Sequence, residues 1–309
     1  MRIVSLLPSA TEIVCALGLS DQLVGVTHEC DYPIEVAKLP KVTKTVIPHD
    51  SSSAEIDELV RNRLELTTAL YSLRTDVLRE LKPDLIVTQA LCDVCAVAET
   101  EVLSVMNLLP NKPDLVNLEP MSIDDVLLTI RMVGEASNNI EDAQALVNAL
   151  QSRIDLVKSR TQTMLNSEEL PRVVFLEWID PLFNAGHWNP ELIQIAGGED
   201  CLGNINQASR TTDWQEVLDI DPDFLFIACC GFDIPRTMQD IEILKSYPHW
   251  KELSCVRKDK VYVSDGNAYF SRSGPRLIDS LEIIAHAMHP AIHPLPLCGN
   301  KAVQIISAS

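Results

Sequence analysis

Residues 3–7 open the chain as a short apolar run, followed by Pro8-Ser9 and then by Ile13, Val14, Ala16 and Leu17 at helical spacing up to Gly18. That order predicts a strand and then a helix closed by a glycine at its carboxyl end. Residues 23–27 predict a second strand. Residues 84–88, after the Lys82-Pro83 turn, form the nearly continuous apolar run typical of parallel strands covered on both faces. Between them Ser52 and Glu55 have capping-box spacing, and helical periodicity runs through Ile56 and Leu59, then through Leu70, Leu73, Val77 and Leu81. Strands alternating with helices make this an α/β fold.

The pattern starts again near Arg172, with strands predicted at 173–176, 224–228 and 261–263 and a helix at 190–196 that ends at Gly197-Gly198. Arg2-Ile3-Val4-Ser5-Leu6 is echoed by Arg172-Val173-Val174-Phe175-Leu176, residues 12–18 by 191–197, and Pro83-Asp84-Leu85-Ile86 by Pro222-Asp223-Phe224-Leu225. The echoes keep their order, which predicts two lobes of related topology. Between the halves Ile140, Ala143, Val147, Leu150, Ile154 and Val157 recur every three or four residues with no Gly or Pro, predicting one long amphipathic helix. Over residues 139–165 it would extend about 40 Å at roughly 1.5 Å per residue. The expected organisation is an amino-terminal α/β lobe at 1–136, a bridging helix at 137–168, a carboxyl-terminal α/β lobe at 169–290 and a loose extension at 291–309.

A length of 309 residues fits about two compact units. The 44 acidic against 25 basic residues give a net charge of −19, which argues against nucleic acid or an anionic membrane as partner. No window is apolar for long enough to insert in a membrane. Pro8, Ser9, Thr11 and Glu12 interrupt the first apolar stretch where a secretory signal needs its longest run. A cytoplasmic location is therefore expected, with the periplasm as the alternative. The nine cysteines are expected to be reduced, and those such as Cys15 in an apolar helical pattern to be small core residues.

In open α/β sheets ligands sit beyond the carboxyl ends of the strands. Tyr32, Trp178, Trp188, Phe232, Tyr269 and Phe270, six of the fifteen aromatic residues, fall in such loops. If both lobes present these loops to one cleft, its walls suit a planar or macrocyclic ligand, and the net charge favours a neutral or cationic one unless Arg272 and Arg276 create a local positive patch. His187, in Gly186-His187-Trp188, is the best candidate for an imidazole at a metal's axial position.

A second signal is Cys92-Asp93-Val94-Cys95, a CxxC that with Cys30 and His28 of a neighbouring loop would make a four-ligand set for zinc or iron. The same pair also reads as a redox couple or as structural thiols. His28 and Glu29 lack a catalytic partner, and the chain has neither a nucleophile elbow nor a phosphate-cradling loop, so no enzyme is expected. His286, His289 and His293 have the spacing of a weak surface metal site, with no function expected of them.

Together Arg2 to Glu12, Leu17-Gly18, Val24-Gly25-Val26 and Lys82-Pro83-Asp84-Leu85-Ile86 make the chain resemble the helical-backbone metal receptors, the cobalamin- and iron-siderophore-binding proteins of ABC importers. His28-Glu29-Cys30-Asp31-Tyr32-Pro33, the CxxC, Gly186-His187-Trp188 and Ser271 to Arg276 resemble a cobalamin-binding-like subfamily. The resemblance covers residues 1 to 290. It implies a class III periplasmic-binding-protein-like fold, with two sheet-and-helix lobes joined by one backbone helix. It also implies a ligand site lined by Tyr32, Trp178, His187, Trp188 and Tyr269, with a permease as partner if the protein is exported. The favoured expectation is a monomeric binding protein for a corrinoid or related metal chelate, with Phe232 and Arg272 also in its lining. The alternative is a metalloprotein that holds a bare ion through Cys30, Cys92, Cys95 and a histidine.

Overall fold

The computed structural model describes residues 1–48, 51–65, 71–89, 99–164, 170–296 and 304–306. The chain divides into two compact units, one of residues 1–120 with 124–149 and one of 121–123 with 150–309.

The first unit runs β1 (Ile3–Ser5), α1 (Pro8–Ala16), β2 (Leu23–Gly25), β3 (Thr43–Thr45), α2 (Ser53–Glu65), β4 (Tyr71–Leu73), α3 (Thr75–Leu81), β5 (Leu85–Thr88), α4 (Glu99–Met106), β6 (Asp114–Asn117) and α5 (Ile123–Ala136), whose first residue clusters with the second unit. Its main sheet has the order β2-β1-β5-β6, all parallel. Ile3, Val4, Leu85, Ile86 and Val87 are buried, as a doubly covered parallel sheet requires. Helix α1 starts at Pro8, where a missing N–H costs nothing, and Gly18 follows it with φ +73°. The capping box is formed: Ser52 N donates to Glu55 Oε2 at 2.8 Å and Glu55 N to Ser52 Oγ at 3.3 Å. The helical spacing through Leu73 misleads. Residues 71–73 pair antiparallel with 43–45, and Leu73 N donates to Glu101 Oε1 at 2.8 Å, so pairing with a partner strand overrides the local period. Leu70 lies outside the described residues.

Helix α6 (Ile140–Met164) is continuous over 25 residues, and the boundary between the units falls inside it. Ala143, Val147, Leu150, Ile154 and Val157 are buried along one stripe, whereas Ile140 at its start is exposed.

The second unit continues with β7 (Arg172–Trp178), β8 (Phe183–Asn184), β9 (Gly186–His187), α7 (Asn189–Ile195), β10 (Glu199–Asp200), β11 (Asn204–Ile205), α8 (Trp214–Ile220), β12 (Phe224–Ile227), α9 (Ile234–Ser246), α10 (Ser254–Arg257), β13 (Val261–Val263), α11 (Leu277–Met288) and β14 (Gln304–Ile305). Its sheet runs β10-β7-β12-β13-β14, with β14 alone antiparallel on that path. In both units the first strand therefore lies between the second and the third, and the fourth follows the third. The echoed segments also share a register: Ile3 faces Leu85 as Val173 faces Phe224. One corner recurs in detail. Arg2 N donates to Asp84 Oδ2 at 2.7 Å and its guanidinium to Leu81 O, while Arg172 N donates to Asp223 Oδ2 at 3.1 Å and its guanidinium to Ile220 O. Lys82 and Asp221 turn both corners in the left-handed conformation, with φ of 46° and 43°.

The tail is less loose than expected. Gln304 and Ile305 add an antiparallel strand to β13, Ile306 is buried, and His293, 2% exposed, lies 3.1 Å from Thr161 Oγ1 through Nε2. His286 Nδ1 lies 2.9 Å from His293 O and His289 Nε2 3.4 Å from Gly197 O, so these histidines tie the carboxyl-terminal segment down. In α6, Arg153 binds Asp279 at 2.5 Å and Glu282 at 2.8 Å, fastening that helix to α11. Among the described residues no helix is long and apolar enough to cross a membrane.

Candidate functional site

The carboxyl ends of β7, β12 and β13 bring most of the expected residues of the second unit together. Trp178 ends β7 and is held by its Nε1 donating to Asp180 O at 3.0 Å. Its ring meets that of Phe232, from the loop after β12, at 4.7 Å and a 41° tilt. One helical turn further, the guanidinium of Arg236 lies 4.1 Å over the Phe232 ring and pairs with Asp240 at 2.9 Å. The loops are tied by main-chain bonds, Cys230 N to Glu177 O at 3.0 Å and Asn267 N to Phe232 O at 3.1 Å. These two bonds hold three successive strand ends in fixed relation.

His187 ends β9, and Trp188 follows it as the residue that leads into α7. His187 adopts φ +52°, a left-handed conformation that costs a non-glycine residue about 1 kcal/mol. It is held there by its N–H to Gln207 O at 2.6 Å and by its carbonyl accepting from Asn206 N at 3.0 Å. Burial pushes its imidazole below the ordinary value, so the ring is neutral at neutral pH. The Trp188 ring lies 5.4 Å from it, is 6% exposed and donates through Nε1 to Phe270 O at 2.9 Å. Trp188 is thus a buried packing residue, which corrects the expectation of an open aromatic wall at this position.

The segment after β13 corrects one expectation. Phe270 is 1% exposed and packs on Phe175 at 5.3 Å, so it belongs to the core and not to an open lining. Tyr269 is nearly buried, with Arg276 5.7 Å from its ring centre. Arg272 is also buried and donates to Asn267 Oδ1 at 2.8 Å. The positive charge of Arg272 and Arg276 is tempered by carboxylates, because Asp233 and Asp265 cap the segments that start here.

Tyr32 belongs to the first unit and is 47% exposed, next to the exposed Ile34. In the same loop the expected metal ligands are otherwise engaged. Cys30 is 2% exposed, with Sγ 3.1 Å from Thr11 Oγ1 and 3.2 Å from Thr27 Oγ1, and burial raises its pKa so that it stays a thiol. His28 Nδ1 lies 2.7 Å from Thr43 Oγ1 and its Nε2 2.9 Å from Glu29 Oε1. Cys92 and Cys95 lie outside the described residues. Among the described residues no group of three His, Cys, Asp or Glu side chains is placed to hold a metal ion.

Three contributors carry no motif. Arg236 is visible in sequence only as the residue four after Phe232. Glu177, partly buried, has its carboxyl pushed up to about 6 by desolvation, against hydrogen bonds from Gly186, Asn189 and Ser209. Asp200, near it in β10, is likewise raised to about 6 by burial, while Leu202 N and Gly203 N donate to its Oδ1 at 3.1 and 2.9 Å. Acidic residues after strands are common, so nothing but the fold singles these two out.

A family model described as "Periplasmic binding protein" matches residues 3–268. The uncharacterized ABC transporter substrate-binding lipoprotein YvrC of Bacillus subtilis (strain 168) is 26% identical, covering 94% of this chain and 80% of its own. The vitamin B12-binding protein of Pectobacterium atrosepticum is 23% identical over 90% of this chain and 84% of its own. Among solved structures, a periplasmic heme-binding protein from Pseudomonas aeruginosa superposes with a TM-score of 0.74 at 17% identity, covering 99% of this chain and 98% of that one. The periplasmic vitamin B12-binding protein BtuF of Vibrio cholerae gives 0.65 at 23% identity, with 94% and 97% covered. These structural likenesses show the fold. One relative is named a lipoprotein and both structures are named periplasmic, so the expected cytoplasmic location finds no support, and neither does a bare-ion metalloprotein.

Proposed function

The chain belongs to the periplasmic binding protein family, and from that premise we propose that it binds and carries a corrinoid or a closely related metal chelate without transforming it. The observation that carries this reading is the Trp178–Phe232 pair beneath Arg236, in the same unit as the neutral His187 at the end of β9. Tilted aromatic faces present apolar area to a macrocycle with little entropy to lose. A neutral imidazole offers a nitrogen to cobalt or iron. Trp188, Tyr269 and Arg272 complete the proposed lining within this unit. The names of the relatives, which give vitamin B12 and heme, support a metal chelate as cargo. Delivery to an ABC permease from the periplasmic side, as a monomer, completes the reading.

Native mass spectrometry of the purified chain mixed with cyanocobalamin, and separately with hemin, tests it. One chelate per chain is the expected result, and the preferred partner identifies the cargo. Trp178→Ala should weaken binding about ten-fold, as loss of one ring contact predicts. Cys92→Ser should leave binding unchanged. Intact binding in Trp178→Ala together with loss in Cys92→Ser would overturn the reading.

A further inference from the structure

The Glu177 carboxylate lies behind the turn that carries His187 and Trp188, and it holds that turn from both sides. Its Oε1 accepts from Gly186 N at 2.8 Å, the residue before the pair, and from Asn189 Nδ2 at 2.8 Å, the residue after it. A third donor is the Ser209 side chain, from the segment against which the turn is pressed. The packing there is tight, because a Cβ on Gly186 would lie 2.3 Å from Ser209 N. The charged group nearest in effect to Glu177 is Asp200, of like sign. A carboxylate in such surroundings is unfavourable unless donors converge on it, and here three do. The main chain of Glu177 is also bound to Cys230 N, so the same residue links the turn to the loop carrying Phe232.

We propose that Glu177 is a positioning residue: by clasping Gly186 and Asn189 it keeps His187 in its left-handed conformation and fixes the orientation in which His187 and Trp188 meet the chelate. The assignment rests on the proposed binding function only for that last clause. The geometry of the turn can be tested without ligand.

Glu177→Ala, Glu177→Gln and Asn189→Ala are compared with Val217→Ala, a core substitution in the same unit that leaves the turn alone. In the ligand-free protein, Gly186 amide hydrogen exchange should rise about ten-fold in Glu177→Ala, as expected on losing a bond to a charged acceptor. The His187 Cα and Cβ chemical shifts should leave the left-handed range. Glu177→Gln keeps an acceptor oxygen and should restore most of both signals, with Asn189→Ala in between. Cyanocobalamin affinity should follow the same order, and Val217→Ala should move none of these readouts at a temperature where it is folded. If Glu177→Ala does not fold, Asn189→Ala and Glu177→Gln carry the comparison. Unchanged Gly186 exchange and His187 shifts in Glu177→Ala, or in Asn189→Ala where Glu177→Ala does not fold, or equal changes in Val217→Ala, would overturn the proposal. So would turn changes that leave cyanocobalamin affinity untouched. If the turn responds as expected while wild type binds neither cyanocobalamin nor hemin, the clasp stands and the ligand reading fails.

Discussion

Glu177 and Asp200 hold two carboxyl groups whose pKa values in the folded chain, about 6 each, lie above the ordinary 4.5 and 3.8. Between about pH 4 and 6 the folded state therefore binds more protons than the unfolded one. By linkage, the stability they contribute is fully present below the unfolded values and falls as pH rises through that window. For Glu177 alone the effect is on the order of 2 kcal/mol. Urea denaturation at pH 4.5, 5.5 and 6.5 should show Glu177→Gln gaining stability relative to wild type as pH rises, and a constant difference would refute the shift. His293, pushed down by burial to about 4, contributes the opposite slope, so the wild-type-minus-variant difference is the quantity to read. The sequence shows Cys30 and His28 as metal-ligand types at a loop but not what surrounds them. Two threonine hydroxyls at 3.1 and 3.2 Å account for Cys30 as a buried thiol, and neither Thr11 nor Thr27 belongs to any ligand pattern.

At the level of elements, the doubly covered strands were the most legible part of the chain, because a run such as Phe224 to Ile227, buried at every position, leaves no alternation to misread. The repeated Arg–Asp corner was legible as an echo, and its meaning came with the fold: each aspartate satisfies a main-chain N–H at the start of the neighbouring strand. The β3–β4 pair was hidden, since three-residue strands carry too few positions to establish a period of two. Among the site elements, strand ends could be read, but the depth of Phe270 and the partnership of Phe232 with Arg236 depend on tertiary packing. One close approach is decisive here. A Cβ on Gly266 would lie 2.1 Å from Cys229 O, so the segment after β13 rests directly on the end of β12. Gly266→Ala should destabilise the protein by about 1–3 kcal/mol and weaken chelate binding, because it pushes Asn267 away from Phe232 and Arg272. Thermal melts and cyanocobalamin titrations check both, and a variant indistinguishable from wild type would show that the segment yields freely.

On the scale of the whole molecule, α6 was legible from its unbroken period, and the place where it passes from one compact unit to the other was not, because the stripe of buried residues runs through that point without change. Gln151 sits just beyond it, its side chain bonded to Asp155 at 3.0 Å. Gln151→Pro removes the N–H bond at that turn and clashes with the preceding one, costing about 3 kcal/mol. Calorimetry should show one unfolding transition for wild type and two for the variant. A single, merely lowered transition would mean that the helix does not couple the units. The final strand has a consequence of another kind. Gln304 and Ile305 occupy the side of β13 that would otherwise offer a row of unpaired amides and carbonyls, and Ile306 N closes the row on Val261 O at 3.0 Å. An open edge of that sort is a template for a strand from another molecule. Removing residues 297–309 should therefore leave a chain that is less stable, for want of the buried Ile306, and that scatters light increasingly with concentration, so that this short tail both completes the core and keeps copies of the protein apart.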